Sequence, residues 1–192
     1  MSSLRLLAAA GAVVVAFGAA GPSFAMSGEC LWRHLEPATR DAFLRQYPRL
    51  GPEVLDRVAV SDREYDAMDE ACGAAGADPA LKDRLFGAIV IEHGSAVYLE
   101  GKLGWDNGAI QDAWERLPPD MLDRLHREAR LTLRRQSPQS DDLDRAARTF
   151  LGSDPSDRAV FDQARAYVTS RIMRETVERV SGGGGPDGGE PG

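Results

Sequence analysis

The amino-acid sequence predicts an all-α protein, a compact helical bundle of two related helical halves tied by one disulfide. Three observations lead to this prediction. Strand-like alternation is missing, and valine and isoleucine are scarce outside residues 86–101. Helix start signals (proline, serine, aspartate) and glycine stop signals recur along the chain. The chain has an export signal and only two cysteines, an even count that is typical of a disulfide.

Local capping signals predict the boundaries of each helix in turn. Pro37 and Pro52 suit the first position of a helix, where the N–H that proline lacks would have no partner anyway. Ser61 and Glu64 form a capping box, and the helix that follows stops at Gly73. Asp-Pro pairs start the two longest helices. The predicted helices cover residues 37–47, 52–58, 62–72, 79–103, 106–117, 119–136, 140–152 and 155–180.

The chain resembles itself in two places. The pattern Trp-x-x-Leu-x-Pro begins at Trp32 and again at Trp114. Each copy is followed by a Ser-Asp helix start, a glycine stop and an Asp-Pro start of a long helix. These matches predict an internal duplication with halves at about residues 30–103 and 112–181. The alternative is chance similarity, because amphipathic helices commonly share the same caps and stops.

The first 25 residues have the pattern of a secretory signal peptide. Arg5 precedes an apolar run over residues 6–20, and small residues lead to a cleavage site after Ala25. A membrane anchor is the alternative, but 15 helical residues span only about 22 Å of a roughly 30 Å hydrocarbon core. Lipid attachment at Cys30 is disfavoured by the adjacent Glu29. We therefore expect a periplasmic or secreted chain with no stable membrane anchor.

After signal cleavage, residues 26–181 are expected to form one helical domain, followed by a disordered glycine-rich tail at 182–192. The net charge of −7 becomes −8 when Arg5 leaves with the signal. Such acidity disfavours nucleic acid and anionic membranes, which bind through basic residues. Lys82 and Lys102 are the only lysines among many arginines, a bias typical of a GC-rich bacterial genome.

Cys30 and Cys72 are predicted to form the disulfide, joining the first helix to the end of a later one. The alternatives are a redox pair or metal ligands. A redox pair usually has the spacing Cys-x-x-Cys, and these two cysteines are far apart. No histidine or carboxylate cluster is evident beside them, so the sequence predicts no metal site.

A search for catalytic motifs finds no phosphate-binding loop, nucleophile elbow, zinc-protease motif or Cys-x-x-Cys. No cofactor is expected. Of the three histidines, His126 forms an Asp-x-x-His pair with Asp123. Arginines and a glutamate surround this pair, which favours an exposed polar helix face. Trp32 and Trp114 could line a ligand groove, although tryptophan at such spacing more often packs between helices.

Glu92 and His93 are the candidate site residues. They interrupt the apolar stretch 86–101, and a helix that is apolar on every side is usually buried. A buried carboxylate and imidazole need partners. Either they pair with arginine, or they act as an acid–base or ligand-polarising pair in a pocket.

The sequence favours a non-catalytic interaction or binding protein of the bacterial cell envelope, with an unknown protein or small-molecule partner. The alternative is an enzyme or small-molecule carrier that uses Glu92 and His93. A metal carrier is the third possibility, and the scattered histidines disfavour it.

Small residues recur every seven positions on the predicted helix 79–103. Because seven residues are close to two turns, this stripe stays on one helix face. Interior glycine costs about 1 kcal/mol relative to alanine, so the stripe requires a reason. We expect another helix to pack closely against it, and the predicted last helix, 155–180, is the expected partner. The stripe consists of Ala80, Gly87, Gly94 and Gly101.

Overall fold

The computed structural model describes residues 26–136, 141–153 and 156–182, and within these ranges the chain is helical, with no strand. The predicted signal peptide, nearly all of the predicted tail, and the predicted helix starts at Ser140 and Asp154-Pro155 lie outside the described residues. No helix in the described ranges combines the length and the apolarity needed to cross a membrane. The prediction of a compact all-α fold is confirmed.

The predicted helices occur in the predicted order, and they are preceded by a further helix at Gly28–His34, which is not among them. A 3-10 turn at Gly51–Glu53 joins the second helix to the third. The α-helices are α1 Gly28–His34, α2 Pro37–Leu50, α3 Val54–Arg57, α4 Asp62–Ala71, α5 Pro79–Leu103, α6 Asn107–Glu115, α7 Pro119–Leu133, α8 Asp142–Leu151 and α9 Arg158–Ser181.

Several predicted caps are formed as the sequence indicates. The Ser61 hydroxyl accepts a hydrogen bond from the Glu64 N–H at 3.3 Å, and the Glu64 carboxylate accepts one from the Ser61 N–H at 3.0 Å. Asp78 caps α5 by accepting from the Ala80 N–H at 2.9 Å. Gly152 ends α8 with a φ of 73°, a left-handed conformation that glycine adopts without strain.

Three predicted boundaries are wrong by three residues, and one of them is the end of α7, which stops at Leu133 and not at 136. Helix α2 continues past Tyr47 to Leu50 and includes Pro48 in its last turns, where proline removes a single hydrogen bond. Helix α9 begins at Arg158 and not at 155, because Asp157 provides the cap and accepts from the Ala159 N–H at 2.8 Å.

The two longest helices, α5 and α9, pack along each other and form the centre of the molecule. Helices α1 and α2 pack on α5, α3 packs on α2 and α4 packs on α1, and together they enclose one hydrophobic cluster, which contains Trp32. Helices α7 and α8 pack on α9, α6 packs on α8 and α5, and together they enclose a second cluster, which contains Trp114. Met173 contacts both clusters. Trp32 and Trp114 are each only 7% exposed, as expected for core packing.

The predicted disulfide between Cys30 and Cys72 is present and joins α1 to the residue that follows α4, with 5.7 Å between the two Cα atoms. Disulfides persist in oxidising compartments, so this bond indicates a location outside the reducing cytoplasm. Closing a loop of this length stabilises the fold by about 4 kcal/mol in the chain-entropy model.

The glycine stripe is packed at Gly87 and Gly94 but open at Gly101, and the expected partner is wrong. A Cβ atom on Gly94 would overlap the ring of Tyr47 from α2, and one on Gly87 would contact Leu55 of α3 at 3.5 Å. A Cβ on Gly101 would meet nothing within 4 Å. The trough, the space above the glycine stripe where side chains are missing, is therefore filled by the Tyr47 ring of α2 in the first half. The last helix, α9, does not fill it.

The order of helices is compatible with a duplication. Helices α1, α2, α4 and α5 correspond in sequence order to α6, α7, α8 and α9. The short α3 and the 3-10 turn before it have no counterpart between the described parts of α7 and α8. Order alone does not establish common descent, so the internal duplication stays a prediction.

Candidate functional site

A polar cleft of about 240 Å³ lies between α5 and α9, with α1 at one end and α6 at the other. Both candidate residues from the sequence, Glu92 and His93, line it, whereas Tyr98 does not. The cleft therefore joins residues from both predicted halves. Its principal charged and aromatic lining residues are Glu29, Glu92, His93, Tyr167, Arg171 and Arg174.

Glu92 is 7% exposed and forms a two-pronged ion pair with Arg174 of α9. Arg174 Nε donates to Glu92 Oε2 at 2.6 Å, and Arg174 Nη2 donates to Oε1 at 3.1 Å. Burial opposes the charge on Arg174, but the hydrogen bonds to Glu92 and the negative charges of Glu92, Glu178 and Glu175 together outweigh it and raise the pKa of the guanidinium. Glu92 thus pairs with an arginine, which is one of the two alternatives that the sequence left open.

Arg174 also connects the cleft to α1. Its Nη1 donates to Glu178 Oε2 at 3.2 Å, and Glu178 Oε1 accepts from the Gly28 N–H at 2.8 Å. Arg174 therefore links the middle of α5 to the beginning of α1 through two carboxylates. This network determines how the α1 end of the cleft is positioned.

His93 is held at that end by an aromatic ring and a carboxylate. Its imidazole stacks on Trp32, with 4.4 Å between ring centroids and 12° between the planes. Its Nε2 lies 3.4 Å from Glu29 Oε1 and has no aligned hydrogen bond within the described residues. The polar contact with His93 lowers the pKa of Glu29, against the opposite effect of partial burial. His93 is thus placed beside a carboxylate and not beside an arginine.

Arg171 occupies the opposite end, and its guanidinium lies 4.3 Å from the ring centroid of Trp114. Arg171 Nη1 donates to the Tyr167 hydroxyl at 2.9 Å and to Gln111 Oε1 at 3.1 Å, while Nε donates to Glu175 at 3.3 Å. Burial raises the pKa of Tyr167, which keeps its hydroxyl protonated. Each end of the cleft therefore carries a nitrogen-rich side chain stacked on a buried tryptophan.

Sequence reasoning missed Glu29, Tyr167, Arg171 and Arg174. A signal for the two arginines was available, because residues three apart on a helix share a face and both lie on the predicted last helix. Their partners on α5 could not be deduced, since pairing between distant helices depends on how those helices pack.

The expectation of an exposed face around His126 is wrong. His126 is 5% exposed, whereas Asp123 is exposed and makes no contact with it. Thr176 Oγ1 donates its hydrogen to the Ile172 carbonyl at 2.7 Å, so the 2.9 Å contact with His126 Nδ1 requires the ring nitrogen to donate. His126 Nε2 faces Glu175 Oε2 at 3.3 Å.

The expectation that no histidine lies near the cysteines is also wrong. His34 is one helical turn after Cys30, and its Nδ1 lies 3.6 Å from the Cys30 sulfur and 3.7 Å from the Cys72 sulfur. The Cys30 carbonyl oxygen is 2.9 Å from the same nitrogen. These three side chains form the one group in the described chain whose donor atoms lie close enough together to hold a metal ion.

Comparisons with protein-family models, with curated proteins and with solved structures find no match to this chain.

Proposed function

We propose that this chain is an exported, non-catalytic binding protein of the bacterial cell envelope, periplasmic or secreted, and that the cleft holds a small polar ligand. Two features support export. Residues 1–25 have the pattern of a signal peptide, and the Cys30–Cys72 disulfide suits an oxidising compartment.

The observation that carries the proposal is the convergence of hydrogen-bonding groups on one small cleft. Arg171 Nη2, the Tyr167 hydroxyl hydrogen and the Asn107 amide have no partner among the described residues, and they lie at the α6 end. Glu29, 48% exposed, supplies an acceptor at the α1 end. This distribution suits a zwitterion, with its carboxylate near Arg171 and its amine near Glu29.

The size of the cleft supports the same ligand class. Pockets for drug-sized ligands measure about 300–1,000 Å³, and the volume here is about 240 Å³. A free amino acid is of suitable size and carries both charges. The ligand proposed is therefore an amino-acid-sized zwitterion.

Binding is favoured over catalysis by the state of Glu92. Both of its oxygens accept hydrogen bonds from Arg174, so both are already engaged within the protein. A general base must be available to take a proton from the substrate. The enzyme alternative would therefore depend on His93 with Glu29, and turnover of a bound probe would support it.

Nuclear magnetic resonance of the three tryptophan indole N–H groups tests the proposal, with the free amino acids as probes. Trp32 and Trp114 each pack on a side chain that lines the cleft, His93 or Arg171, whereas Trp105 packs on Phe150 and serves as an internal control. We expect a saturable shift of the first two signals alone with one or more probes.

Arg171→Ala should abolish the shift. Arg165→Ala is the matched control, because Arg165 lies on the same helix and pairs with Asp144 at 3.1 Å, away from the cleft. No saturable shift with any probe, or equal binding by the two variants, would refute the cleft as a zwitterion site.

A further inference from the structure

The disulfide end of α1 carries a second candidate site that shares no residue with the cleft. Cys30 and His34 lie one turn apart on α1, and Cys72 follows α4. Two sulfurs and one imidazole nitrogen thus meet at a single point, all three within 4.8 Å of one another. In the oxidised protein the sulfurs bond to each other, and the nearby nitrogen has no part in that bond.

The position of His34 matches the geometry of a metal site. Zinc bonds to sulfur at about 2.3 Å and to nitrogen at about 2.0–2.1 Å, so tetrahedral angles separate those two ligands by about 3.6 Å. His34 Nδ1 lies 3.6 Å from one sulfur and 3.7 Å from the other. The nitrogen therefore already lies at ligand spacing from each sulfur, although the two sulfurs are bonded to each other here and must separate before all three atoms can surround one ion.

Access and flexibility also suit a metal. His34 is exposed, Cys30 is half-buried and Cys72 is buried, so one side of the group is open to solvent for a water ligand. On reduction, the sulfurs separate by side-chain rotation. The Cα atoms, 5.7 Å apart, already permit two ligands of one ion.

We infer that Cys30, Cys72 and His34 form a three-ligand site for a zinc-class cation when the disulfide is reduced. A dithiol reductant breaks the S–S bond, each sulfur gains a hydrogen, and the reductant leaves as its own disulfide. The metal then displaces both thiol protons. The proton on His34 Nδ1, now donated to the Cys30 carbonyl, moves to Nε2, so the metal binds two thiolates and a neutral imidazole.

The ligand set determines the class of metal. Thiolates with imidazole suit zinc and copper(I), while magnesium and calcium require oxygen ligands. The site would act outside the reducing cytoplasm only where a dithiol reductant keeps the cysteines reduced. Disulfide formation and metal binding therefore exclude each other at the same two sulfurs.

Cobalt(II) titration tests the inference, because cobalt replaces zinc in tetrahedral sites and absorbs visible light. The protein is reduced with a phosphine, which becomes the phosphine oxide and contains no thiol. We expect one cobalt per chain, with intense visible bands and a thiolate-to-metal band in the near ultraviolet, and displacement of cobalt by zinc. The oxidised protein should show neither band.

His34→Ala should weaken cobalt binding by at least about tenfold. Loss of a residue that only hydrogen-bonds to a metal ligand already lowers metal affinity by that much. Arg33→Ala is the matched control, an exposed neighbour on the same helix whose guanidinium hydrogen-bonds to the Glu29 carbonyl. Equal affinity of the His34 variant and the control would overturn the role of His34.

Circular dichroism of the same samples makes the test decisive if reduction unfolds the chain. Zinc should then restore the helical signal of the reduced wild-type protein, because metal binding and folding are coupled. A reduced protein that binds no cobalt, or that zinc fails to refold, overturns the inference.

Discussion

Replacing Gly94 and Gly101 of α5 separately with alanine should change stability in opposite directions. A Cβ on Gly94 overlaps the Tyr47 ring, which is 1% exposed and whose hydroxyl contacts Ser95 Oγ at 2.8 Å. A Cβ on Gly101 meets nothing within 4 Å. The same substitution on the same helix therefore compares a filled trough with an open one.

The magnitude follows from three contributions at Gly94. Overpacking costs about 1–3 kcal/mol, and displacing Tyr47 from Ser95 adds about 1 kcal/mol. The better helix propensity of alanine offsets about 1 kcal/mol. We expect Gly94→Ala to lower the free energy of unfolding by about 1–3 kcal/mol, whereas Gly101→Ala should raise it by up to about 1 kcal/mol.

Urea unfolding followed by circular dichroism measures both variants against the wild type. An unchanged m-value would show that each substitution changes stability and not the unfolded ensemble. If Gly94→Ala were as stable as Gly101→Ala, the Tyr47 ring would not occupy the trough, and the packing argument for the glycine stripe would fail.

Three further predictions concern the network around the cleft and the disulfide. Glu92→Gln removes a negative charge that compensates the buried Arg174, and it should lower the free energy of unfolding in urea by about 3 kcal/mol. An unchanged free energy of unfolding would show that the ion pair is dispensable. Intact mass under non-reducing conditions should show the hydrogen deficit of a disulfide, and free thiols would contradict it. Burial raises the pKa of Glu175, but the hydrogen bonds and charges of His126 and Arg171 together outweigh it, and the pKa is lowered overall. The stabilisation from Glu175 is therefore present above its ordinary pKa and lost as pH falls through the folded value. Glu175→Gln should reduce the loss of unfolding free energy that occurs as pH falls. An unchanged loss at low pH would refute the contribution of Glu175 to it.

Most of the fold could be predicted because helix ends depend on nearby residues. The capping box at Ser61 and the stop at Gly152 act within one or two turns, and both are formed as predicted. The start of α9 was placed three residues early because Asp154 and Asp157 are both suitable caps. Sequence alone does not determine which of two equivalent caps the tertiary structure uses.

The site was predictable only in part. Glu92 and His93 are conspicuous because they interrupt an apolar helix, but Arg174 looks like any exposed arginine until α9 packs on α5. His126 was misjudged from its charged neighbours. Its spacing from Leu122 and Ala129 gave the better signal, since residues four before and three after it contact or belong to the second hydrophobic cluster.

The predicted duplication would explain why the cleft lies where it does. Trp32 stacks with His93 from α5, and Trp114 stacks with Arg171 from α9. In each half, the tryptophan that starts the repeated pattern thus contacts a polar side chain on the long helix that ends it. If the halves share an ancestor, these are equivalent contacts, and the cleft lies between two copies of one feature. Superposing residues 30–103 on 112–181 should then bring at least three helices together and place His93 near Arg171; halves that fail to superpose would reduce the resemblance to coincidence.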